Sequence, residues 1–387
     1  TGERLREDVG DPVAVAKSVA HSINWGQPPE KPKRAGRFRG KGIALCVKGP
    51  AQPPNAAASA IVKFNEDVSV DLIVGTASFG QGTPTSLTQI VADELGIPVE
   101  KVRVGLVRST DMSAYTWQTV GSRGLFTDGI AVMDALRDAI AQIKDVASQV
   151  LKVKPEELEI ANEQVFVKGS PWHRLPLSEV VFGYSYPNGH SIGGPIVGRG
   201  KFMSPLTTYL DPDTGQGNPT IFHTFGACGV EIEVDVLTGE IEILKAAQAF
   251  DVGKAINPLL VKGQIDGGFI MGQSVALNEA IIFDEQGWVL NPNLSNYRIL
   301  RAKEMPQKIE EIIIETPQNN GPHGARGLGE LVMIAVAPAI ANAIYNAIGV
   351  QITKLPMSPE NVWRAVVEQR PELIEEAKRK LKQGGGR

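Results

Sequence analysis

Residues 229–244 read GVEIEVDVLTGEIEIL, and apolar and charged side chains alternate in this stretch on both sides of Leu237-Thr238-Gly239. Strict alternation is typical of half-buried β-strands, and a short glycine-containing turn joins antiparallel strands. The stretch therefore predicts a β-hairpin with one face in a hydrophobic core.

Strand and helix patterns continue on both sides of this hairpin. Helices are predicted at Asp11–Trp25, Thr83–Leu95, Phe126–Leu151, Leu177–Phe182, Leu259–Ala280 and Leu331–Ile348, and after Pro359. Strands are predicted at Gly42–Val47, within Ala58–Gly75, at Lys101–Val107 and Ile309–Glu315, and in hairpins near Glu159–Val167 and Ile281–Leu290. Because strands and helices interleave without a regular βαβ order, we predict an α+β fold of two related mixed α/β lobes.

The domain boundaries follow from where the patterns are clear. Residues 1–155 are predicted to form a first lobe and residues 226–369 a second lobe. Residues 156–225, which Pro, Gly and Asn interrupt, are predicted to be an irregular excursion, and residues 370–387 a charged tail.

Composition excludes several classes of protein. The 39 Lys and Arg against 43 Asp and Glu argue against a nucleic-acid-binding protein, which needs a basic surface. Cys46 and Cys228 are the only cysteines, too few for an iron–sulfur cluster or a zinc knuckle and unsuited to a disulfide scaffold. We find neither an apolar stretch of about 20 residues nor a signal-peptide pattern, and expect a cytoplasmic protein without a membrane span.

Three glycine-rich loops each precede a predicted helix. They are Gly80-Gln81-Gly82, Gly121-Ser122-Arg123-Gly124 and GARGLG at residues 324–329. Glycine lets backbone N–H groups approach a ligand and a helix N-terminus adds partial positive charge, so each loop could bind phosphate, and Arg123 could pair with a diphosphate. The same glycines are also explained as tight turns. None of the loops fits a nicotinamide-binding fingerprint or a Walker motif.

Glu330 directly follows the third loop and begins an otherwise apolar predicted helix. A carboxylate in this position is a candidate general base, which has to be ionised at the working pH. An acidic residue in a first turn also stabilises a helix through its dipole, so the residues alone leave both interpretations open. The five histidines show no metal-ligand spacing, and Cys46 in an apolar run is explained as a core residue.

Five segments in order resemble the molybdenum-binding subunit of the xanthine dehydrogenase/aldehyde oxidoreductase family, the molybdenum hydroxylases. They are TASFGQGTPTSLTQIVADELGIP (76–98), TVGSRGLF (119–126), GVEIEVDVLTGEIEILK (229–245), DVGKAINPLLVKGQIDGGFIMGQSVALNEA (251–280) and GARGLGELVMIAVAPAIANAI (324–344). The resemblance implies the C-terminal half of such a large subunit, with the cofactor between its two lobes.

The resemblance also implies roles for individual residues. The pterin side of the cofactor is bound by Gly80, Gln81 and Gly82, and Gln264 hydrogen-bonds the pterin. The diphosphate or nucleotide is taken by Gly121, Ser122 and Arg123, and Gly327 contacts the cofactor from the third loop. Glu330 is the catalytic base beside the metal. By a looser alignment, Leu45 and Cys46 lie near the metal cleft.

The cofactor implied is a molybdenum–molybdopterin in the cytosine dinucleotide form, with the metal held through the pterin rather than by a protein ligand. In the mechanism that the resemblance implies, Glu330 would take the proton of the molybdenum-bound hydroxyl. The oxygen would then add to an electron-poor carbon of an N-heterocycle (purine or nicotinate type) or an aldehyde, and hydride would pass to the sulfido ligand. The implied partners are an N-terminal-half molybdenum subunit, a [2Fe-2S] subunit and an FAD subunit.

Two alternatives stay open at this point. One is the carbon monoxide dehydrogenase branch of the same family, which copper analysis separates because that branch has a copper-ligating cysteine in the half not matched here. The other is a non-catalytic structural subunit that keeps the fold. The joint presence of Gln81, Arg123, Gln264 and Glu330 speaks against the second alternative.

Overall fold

The computed structural model describes residues 5–105, 109–205 and 207–383 and confirms a mixed α/β fold. The helices are α1 (Pro12–Ser22), α2 (Thr83–Leu95), α3 (Gly124–Leu151), α4 (Pro258–Leu277), α5 (Val336–Ile348), α6 (Pro359–Gln369) and α7 (Pro371–Gln383). The strands are β1 (Arg37–Lys48), β2 (Ala57–Phe64), β3 (Val70–Val74), β4 (Val102–Val104), β5 (Leu158–Ala161), β6 (Gln164–Val167), β7 (Ser170–Pro176), β8 (Tyr184–Ser185), β9 (Ser191–Ile192), β10 (Val197–Met203), β11 (Thr224–Asp235), β12 (Ile241–Asp251) and β13 (Ile309–Ile314).

The chain folds into two compact units, and neither unit is one continuous stretch of sequence. Unit 1 comprises the described parts of Thr1–Val9, Gly49–His223 and Pro317–Gly327. Unit 2 comprises the described parts of Gly10–Lys48, Thr224–Thr316 and Leu328–Arg387.

Unit 1 is built on a four-stranded sheet with the order β10-β2-β3-β4. The first two pairs are antiparallel and β3 pairs with β4 in parallel, which requires a crossover that α2 supplies. Helix α3 lies against β10 at two glycines. A Cβ on Gly200 would be 2.0 Å from the Ala131 carbonyl oxygen, so only glycine allows this approach.

Unit 2 repeats this plan with other strands. Its sheet has the order β1-β11-β12-β13, and again two antiparallel pairs are followed by one parallel pair. Helix α4 makes the crossover from β12 to β13, and α5 packs on the edge strand β1. A Cβ on Gly42 of β1 would be 2.1 Å from the Ala339 carbonyl oxygen, the counterpart of the Gly200 contact.

The two lobes are therefore related, as predicted, but their boundaries differ from the predicted ones. Along the chain, the elements from β1 to α3 form a first repeat and those from β10 to α5 a second repeat. The first strand of each repeat, β1 or β10, pairs at the edge of the sheet whose other three strands come from the other repeat. Residues 10–48, predicted to lie in the first lobe, consequently belong to unit 2. Residues 156–225 are largely part of unit 1, and β10 within them is a sheet strand rather than part of an excursion.

Several predicted elements are shorter or different in the structure. The predicted helix at Leu177–Phe182 is a single 3-10 turn at Leu177–Glu179, and the predicted strand at Lys101–Val107 is observed as β4, with residues 106 and 107 outside the described range. The hairpin at residues 281–290 is reduced to one isolated bridge between Phe283 and Val289. The charged tail, as far as residue 383, is helix α7, which buries Leu373, Ile374 and Ala377.

The segment Leu331–Ile348 is apolar and long enough, by length and composition, to cross a membrane. Half of it is buried inside the protein, where Val336, Ala339, Ile340 and Ala343 join the largest core cluster of unit 2. This burial is what a core helix of a globular unit shows.

Candidate functional site

The Gly-Gln-Gly loop connects β3 to α2 in unit 1. Gly80 and Gly82 both have positive φ, at 115° and 80°, and Gly82 is the N-cap of α2 without any side-chain cap. The Gln81 amide folds back on its own loop: its Oε1 accepts from the Phe79 N–H at 2.9 Å and its Nε2 donates to the Ala77 carbonyl at 3.0 Å. The loop is thus held in shape by the glutamine that the sequence singles out.

The Gly-Ser-Arg loop precedes α3 in the same unit. Gly121 and Ser122 are both in the left-handed region, with φ of 70° and 60°. The first turn of α3 has no side-chain cap at its N-cap residue Arg123 and no acidic residue. Like α2, this helix presents first-turn N–H groups that no capping side chain satisfies, and an anion binds readily to such a terminus.

Unit 1 brings these two loops together with Gly327. The Ala77 N–H donates to Thr119 Oγ1 at 3.0 Å, which ties the first loop to the second. A Cβ on Gly327 would be 1.5 Å from the Ser122 carbonyl oxygen, so the third loop lies directly on the second. Seven of the nine predicted site residues therefore share one region of unit 1.

Arg123 is buried within its own loop. Its side chain is 1% exposed, its guanidinium donates to the carbonyls of Trp117 and Gln118, and it stacks over the Trp117 ring at 4.6 Å. Burial lowers the pKa of Arg123. In this conformation the guanidinium braces the 117–123 loop from inside rather than offering its fork to a diphosphate.

Asp128 is a buried carboxyl behind the same loop, and the sequence analysis missed it. Its Oδ1 accepts a hydrogen bond from Thr116 Oγ1 at 2.6 Å and its Oδ2 accepts one from Thr127 Oγ1 at 3.1 Å. Burial raises the pKa of Asp128 to about 6, against the opposing effects of these hydrogen bonds and of Arg123. A buried acid on a regular helix has no pattern that distinguishes it from an exposed one.

Glu330 belongs to unit 2 and does not stand in the first turn of a long helix. It caps a 3-10 turn at Leu331–Met333, and α5 begins only at Val336. Its side chain is 50% exposed, and its Oε2 lies 2.7 Å from the Nζ of Lys48, the last residue of β1. Lys48 is a charged neighbour that no motif in the sequence indicates.

Gln264 lies near the start of α4, also in unit 2. Its side chain is half-buried and makes no hydrogen bond with another residue in the described part of the chain. On the same helix, no atom in the described part of the chain lies within 4 Å of a Cβ placed on Gly263 or Gly267, whereas one placed on Gly268 would meet Val332 Cγ2 at 2.0 Å. Thus the close packing that helical glycines suggest explains Gly268 but not the other two.

Leu45 and Cys46 point to opposite sides of β1. Leu45 lines an open groove of about 810 Å³ between α1, β1 and α5, which contains none of the nine predicted site residues. Cys46 is partly buried beside Leu331, and burial raises the pKa of its thiol to about 12. Only Cys46 therefore lies next to the segment that begins at Glu330.

His323 and the remaining acids do not form a metal site in the described residues. The His323 Nε2 lies 3.0 Å from Glu94 Oε1 at the end of α2. Among residues 5–105, 109–205 and 207–383, no group of three or more His, Cys, Asp or Glu side chains is arranged to hold a metal ion.

A family model described as a molybdopterin cofactor-binding domain matches residues 18–306. The matched range contains the Gly-Gln-Gly loop, the Gly-Ser-Arg loop and Gln264, and it ends before Gly327 and Glu330. The expected resemblance is confirmed over three quarters of the chain.

Individual relatives agree with this match. The chain is 29% identical over 360 residues to the 6-hydroxypseudooxynicotine dehydrogenase complex subunit gamma of Paenarthrobacter nicotinovorans, covering 92% of this chain and 44% of that one. It is 31% identical over 307 residues to the carbon monoxide dehydrogenase large chain of Afipia carboxidovorans, covering 79% of this chain and 36% of that one.

Among solved structures, the carbon monoxide dehydrogenase of Oligotropha carboxidovorans superposes with a TM-score of 0.75 at 26% identity. The alignment covers 92% of this chain and 43% of that chain. The chain thus spans less than half the length of the relatives it matches.

Proposed function

This chain belongs to the molybdopterin cofactor-binding family of molybdenum hydroxylase large subunits, and from that premise we propose that it holds the molybdenum–pterin cofactor of an oxidoreductase. The proposed reaction adds a water-derived oxygen to an electron-poor carbon of an N-heterocycle or an aldehyde. The observation that carries the proposal lies in unit 1, where the first two glycine loops meet Gly327 of the third loop beside two helix N-termini that lack side-chain caps.

These residues fit the phosphate part of such a cofactor. First-turn N–H groups of α2 and α3 offer hydrogen bonds and a favourable dipole to a diphosphate. Open space around Gly80 leaves room for a ligand against the backbone, since no atom of the described residues lies within 4 Å of a Cβ built there. In the proposal, the backbone of both loops binds the diphosphate, and Arg123 keeps the second loop in shape without touching the ligand.

Gln264 fits the pterin part. Its amide makes no hydrogen bond with the described residues and is partly exposed, so both its oxygen and its nitrogen can bond a ligand. The bare helix surface at Gly263 and Gly267 lets a flat group lie close to the backbone of α4. We assign the pterin hydrogen bonds in unit 2 to Gln264, while the amide of Gln81 mainly holds its own loop.

Glu330 acts as the proton acceptor in this proposal. When bound, the cofactor supplies the hydroxyl that is deprotonated and the redox-active metal that accepts the electrons. The Oε atoms of Glu330 receive the proton, and the ammonium of Lys48 at 2.7 Å places a positive charge beside the carboxylate and fixes its orientation. A positioned carboxylate of this kind contributes about 10²–10⁴-fold to the rate.

The experiment is turnover by the assembled complex carrying Glu330→Gln, assayed with a purine, a nicotinate-type N-heterocycle, an aldehyde and carbon monoxide. The expected loss is about 10²–10⁴-fold with molybdenum content unchanged. Glu315→Gln is the matched control, because Glu315 also pairs with a lysine in unit 2, Lys254, at 2.9 Å. Near-normal turnover by the Glu330→Gln complex would contradict the role of Glu330 as the general base and would favour a non-catalytic structural subunit.

The similarity to carbon monoxide dehydrogenase large chains favours one second candidate, oxidation of carbon monoxide. Copper analysis of the assembled complex distinguishes the two, since the name of the matched structure includes copper with molybdenum. Copper in amounts equal to molybdenum would favour the second candidate, and molybdenum alone the hydroxylase.

Partner subunits follow from the relatives, which are subunits or large chains of multi-component dehydrogenases. We propose that this chain works with the remaining part of the large subunit and with subunits that hold [2Fe-2S] clusters and FAD. The cytosine dinucleotide form of the pterin and a cytoplasmic location stay predictions.

A further inference from the structure

A short segment of unit 2 exposes an unusual density of large apolar side chains. We call residues 281–299 the apolar arm. Eight of its side chains are between 41% and 75% exposed: Ile281, Ile282, Phe283, Trp288, Val289, Leu290, Leu294 and Ile299. Its charged residues are Asp284, Glu285 and Arg298. Contiguous apolar patches of this kind mark interaction surfaces, whereas single exposed apolar residues need no explanation.

The apolar arm is held in a defined conformation by its polar groups. Asn291 is 7% exposed; its Oδ1 accepts from the Ile282 N–H at 2.9 Å and its Nδ2 donates to the Ala280 carbonyl at 2.7 Å. The Tyr297 hydroxyl donates to Glu279 Oε2 at 2.6 Å. Polar atoms therefore point into the arm and stabilise it while the apolar side chains point outward.

The eight exposed side chains of the apolar arm do not pack into the core of unit 2. Large apolar side chains each gain about 1.5–3 kcal/mol when they are buried, and these eight forgo much of that gain in the chain alone. Because the backbone is held by hydrogen bonds, collapse of the arm onto the core would break them. The exposed side chains are therefore arranged for a surface that the chain itself does not supply.

The lengths of the relatives indicate what covers the arm. In the 6-hydroxypseudooxynicotine dehydrogenase subunit and the carbon monoxide dehydrogenase chain, the matched part is 44% and 36% of the polypeptide, so more than half of each of these two relatives lies outside the match. Surfaces between parts that are permanently associated are more apolar than transient interfaces. The weakly charged, apolar character of the arm fits such a permanent contact.

We propose that the apolar arm is the docking surface for the rest of the molybdenum hydroxylase large subunit, carried on the same or on another polypeptide. Trp288 is its principal anchor, because it is the largest of the eight side chains and is 74% exposed. This inference rests on family membership and is independent of the role of Glu330.

Hydrogen exchange and cross-linking of the purified assembly test the proposal. We expect the amides of residues 288–290 to exchange at least about tenfold more slowly in the assembly than in the isolated chain. Cross-links from the exposed Lys303 and Lys308 should reach a sequence that aligns with the part of the relatives outside the match.

Trp288→Ser and Trp172→Ser form a matched pair, since the two tryptophans are 74% and 78% exposed. We expect Trp288→Ser to weaken association of the two parts at least about tenfold, and Trp172→Ser to leave it unchanged. If both parts lie on one polypeptide, the readout is the exchange rate of residues 288–290, which Trp288→Ser should raise.

Three results would overturn the proposal: equal exchange of the arm in the assembly and the isolated chain, cross-links only to a second copy or to an iron–sulfur subunit, or normal association of the Trp288→Ser variant. Because Glu330 turnover is measured separately, loss of the docking proposal leaves the proposed function testable.

Discussion

At the scale of single residues, Lys48 is the charged neighbour that forms an ion pair with the carboxylate of Glu330. Lys48 is the last residue of β1, and Glu330 precedes the 3-10 turn at Leu331–Met333. The Lys48 Nζ and the Glu330 Oε2 are 2.7 Å apart.

 The sequence alone shows no relation between these two positions, because a strand end and a loop 282 residues later carry no shared pattern. Their pairing depends on the fold of unit 2.

Lys48→Met is therefore expected to lower kcat about fivefold, which corresponds to about 1 kcal/mol for a partly exposed ion pair. Lys48→Arg should keep kcat within about twofold, because it retains the positive charge. KM should be unchanged in both variants. Steady-state kinetics of the assembled complex measure these effects, with Lys254→Met as the control for loss of an ion pair elsewhere in unit 2. Equal kcat in all three variants would contradict the role given to Lys48.

Asp128 gives a pH-dependent prediction. Burial raises its pKa to about 6 in the folded chain, while the unfolded value is about 3.9. The folded protein therefore binds more protons in this range, so stability should fall as the pH rises from 4 through 6, by at most about 3 kcal/mol from this group.

Denaturant unfolding of the purified chain between pH 4 and pH 7 measures this effect. Asp128→Asn should remove the contribution, so its stability relative to the wild type should improve as the pH rises. Asp145→Asn, an exposed position on the same helix, should leave the pH dependence in place. The prediction fails if the wild type and Asp128→Asn differ by the same amount at every pH.

The site residues show which features of the candidate site could be predicted from the sequence. Gly80, Gly82, Gly121 and Gly327 were predicted as loop residues, and their positive φ angles or close approaches bear out the need for glycine. Arg123 is predicted to bind the diphosphate or nucleotide, and the motif does not indicate that its guanidinium bonds carbonyls of its own loop. Such a choice depends on tertiary packing, which a motif does not contain.

At the scale of elements, helix α4 carries two kinds of glycine. Gly268 and Gly272 lie against Val332 and Val336, and Gly263 and Gly267 have open space. Glycine in a helix interior costs about 1 kcal/mol relative to alanine, so the second pair weakens the helix without any packing benefit within the chain.

Gly263→Ala and Gly267→Ala should each raise the free energy of unfolding of the isolated chain by about 0.5–1 kcal/mol. The same variants should lower the pterin content of the assembled complex, because a methyl group would occupy the surface proposed for the pterin. Gly268→Ala is the control and should destabilise the chain, since its Cβ would be 2.0 Å from Val332 Cγ2. Stabilised variants with full pterin content would rule out pterin contact at this face.

Periodicity predicted most of the regular elements. Helix α2 has the predicted bounds, and the hairpin of β11 and β12 turns at the predicted glycine. The prediction was wrong at Leu331–Ile348, where an unbroken apolar run concealed a 3-10 turn before α5. Apolar periodicity locates a buried face but does not mark where a helix changes its winding.

At the scale of the whole molecule, the sequence predicted two related lobes but not which strands complete them. Strand β1 pairs with β11 and strand β10 pairs with β2, so each sheet has three strands from one repeat and an edge strand from the other repeat. Pairing between distant strands leaves no local signal, because any strand of suitable pattern fits either sheet edge. For this reason the two units do not divide at residue 155.

The most direct test of the account is the amount of molybdenum and of pterin nucleotide bound per chain in the assembled complex, measured for the wild type and for Gln264→Ala. We expect the wild type to contain both, and Gln264→Ala, which breaks no hydrogen bond within the described chain, to lose about tenfold in pterin affinity. A wild-type complex without pterin, or a Gln264→Ala complex that binds pterin as tightly as the wild type, would contradict the claim that this chain holds the cofactor.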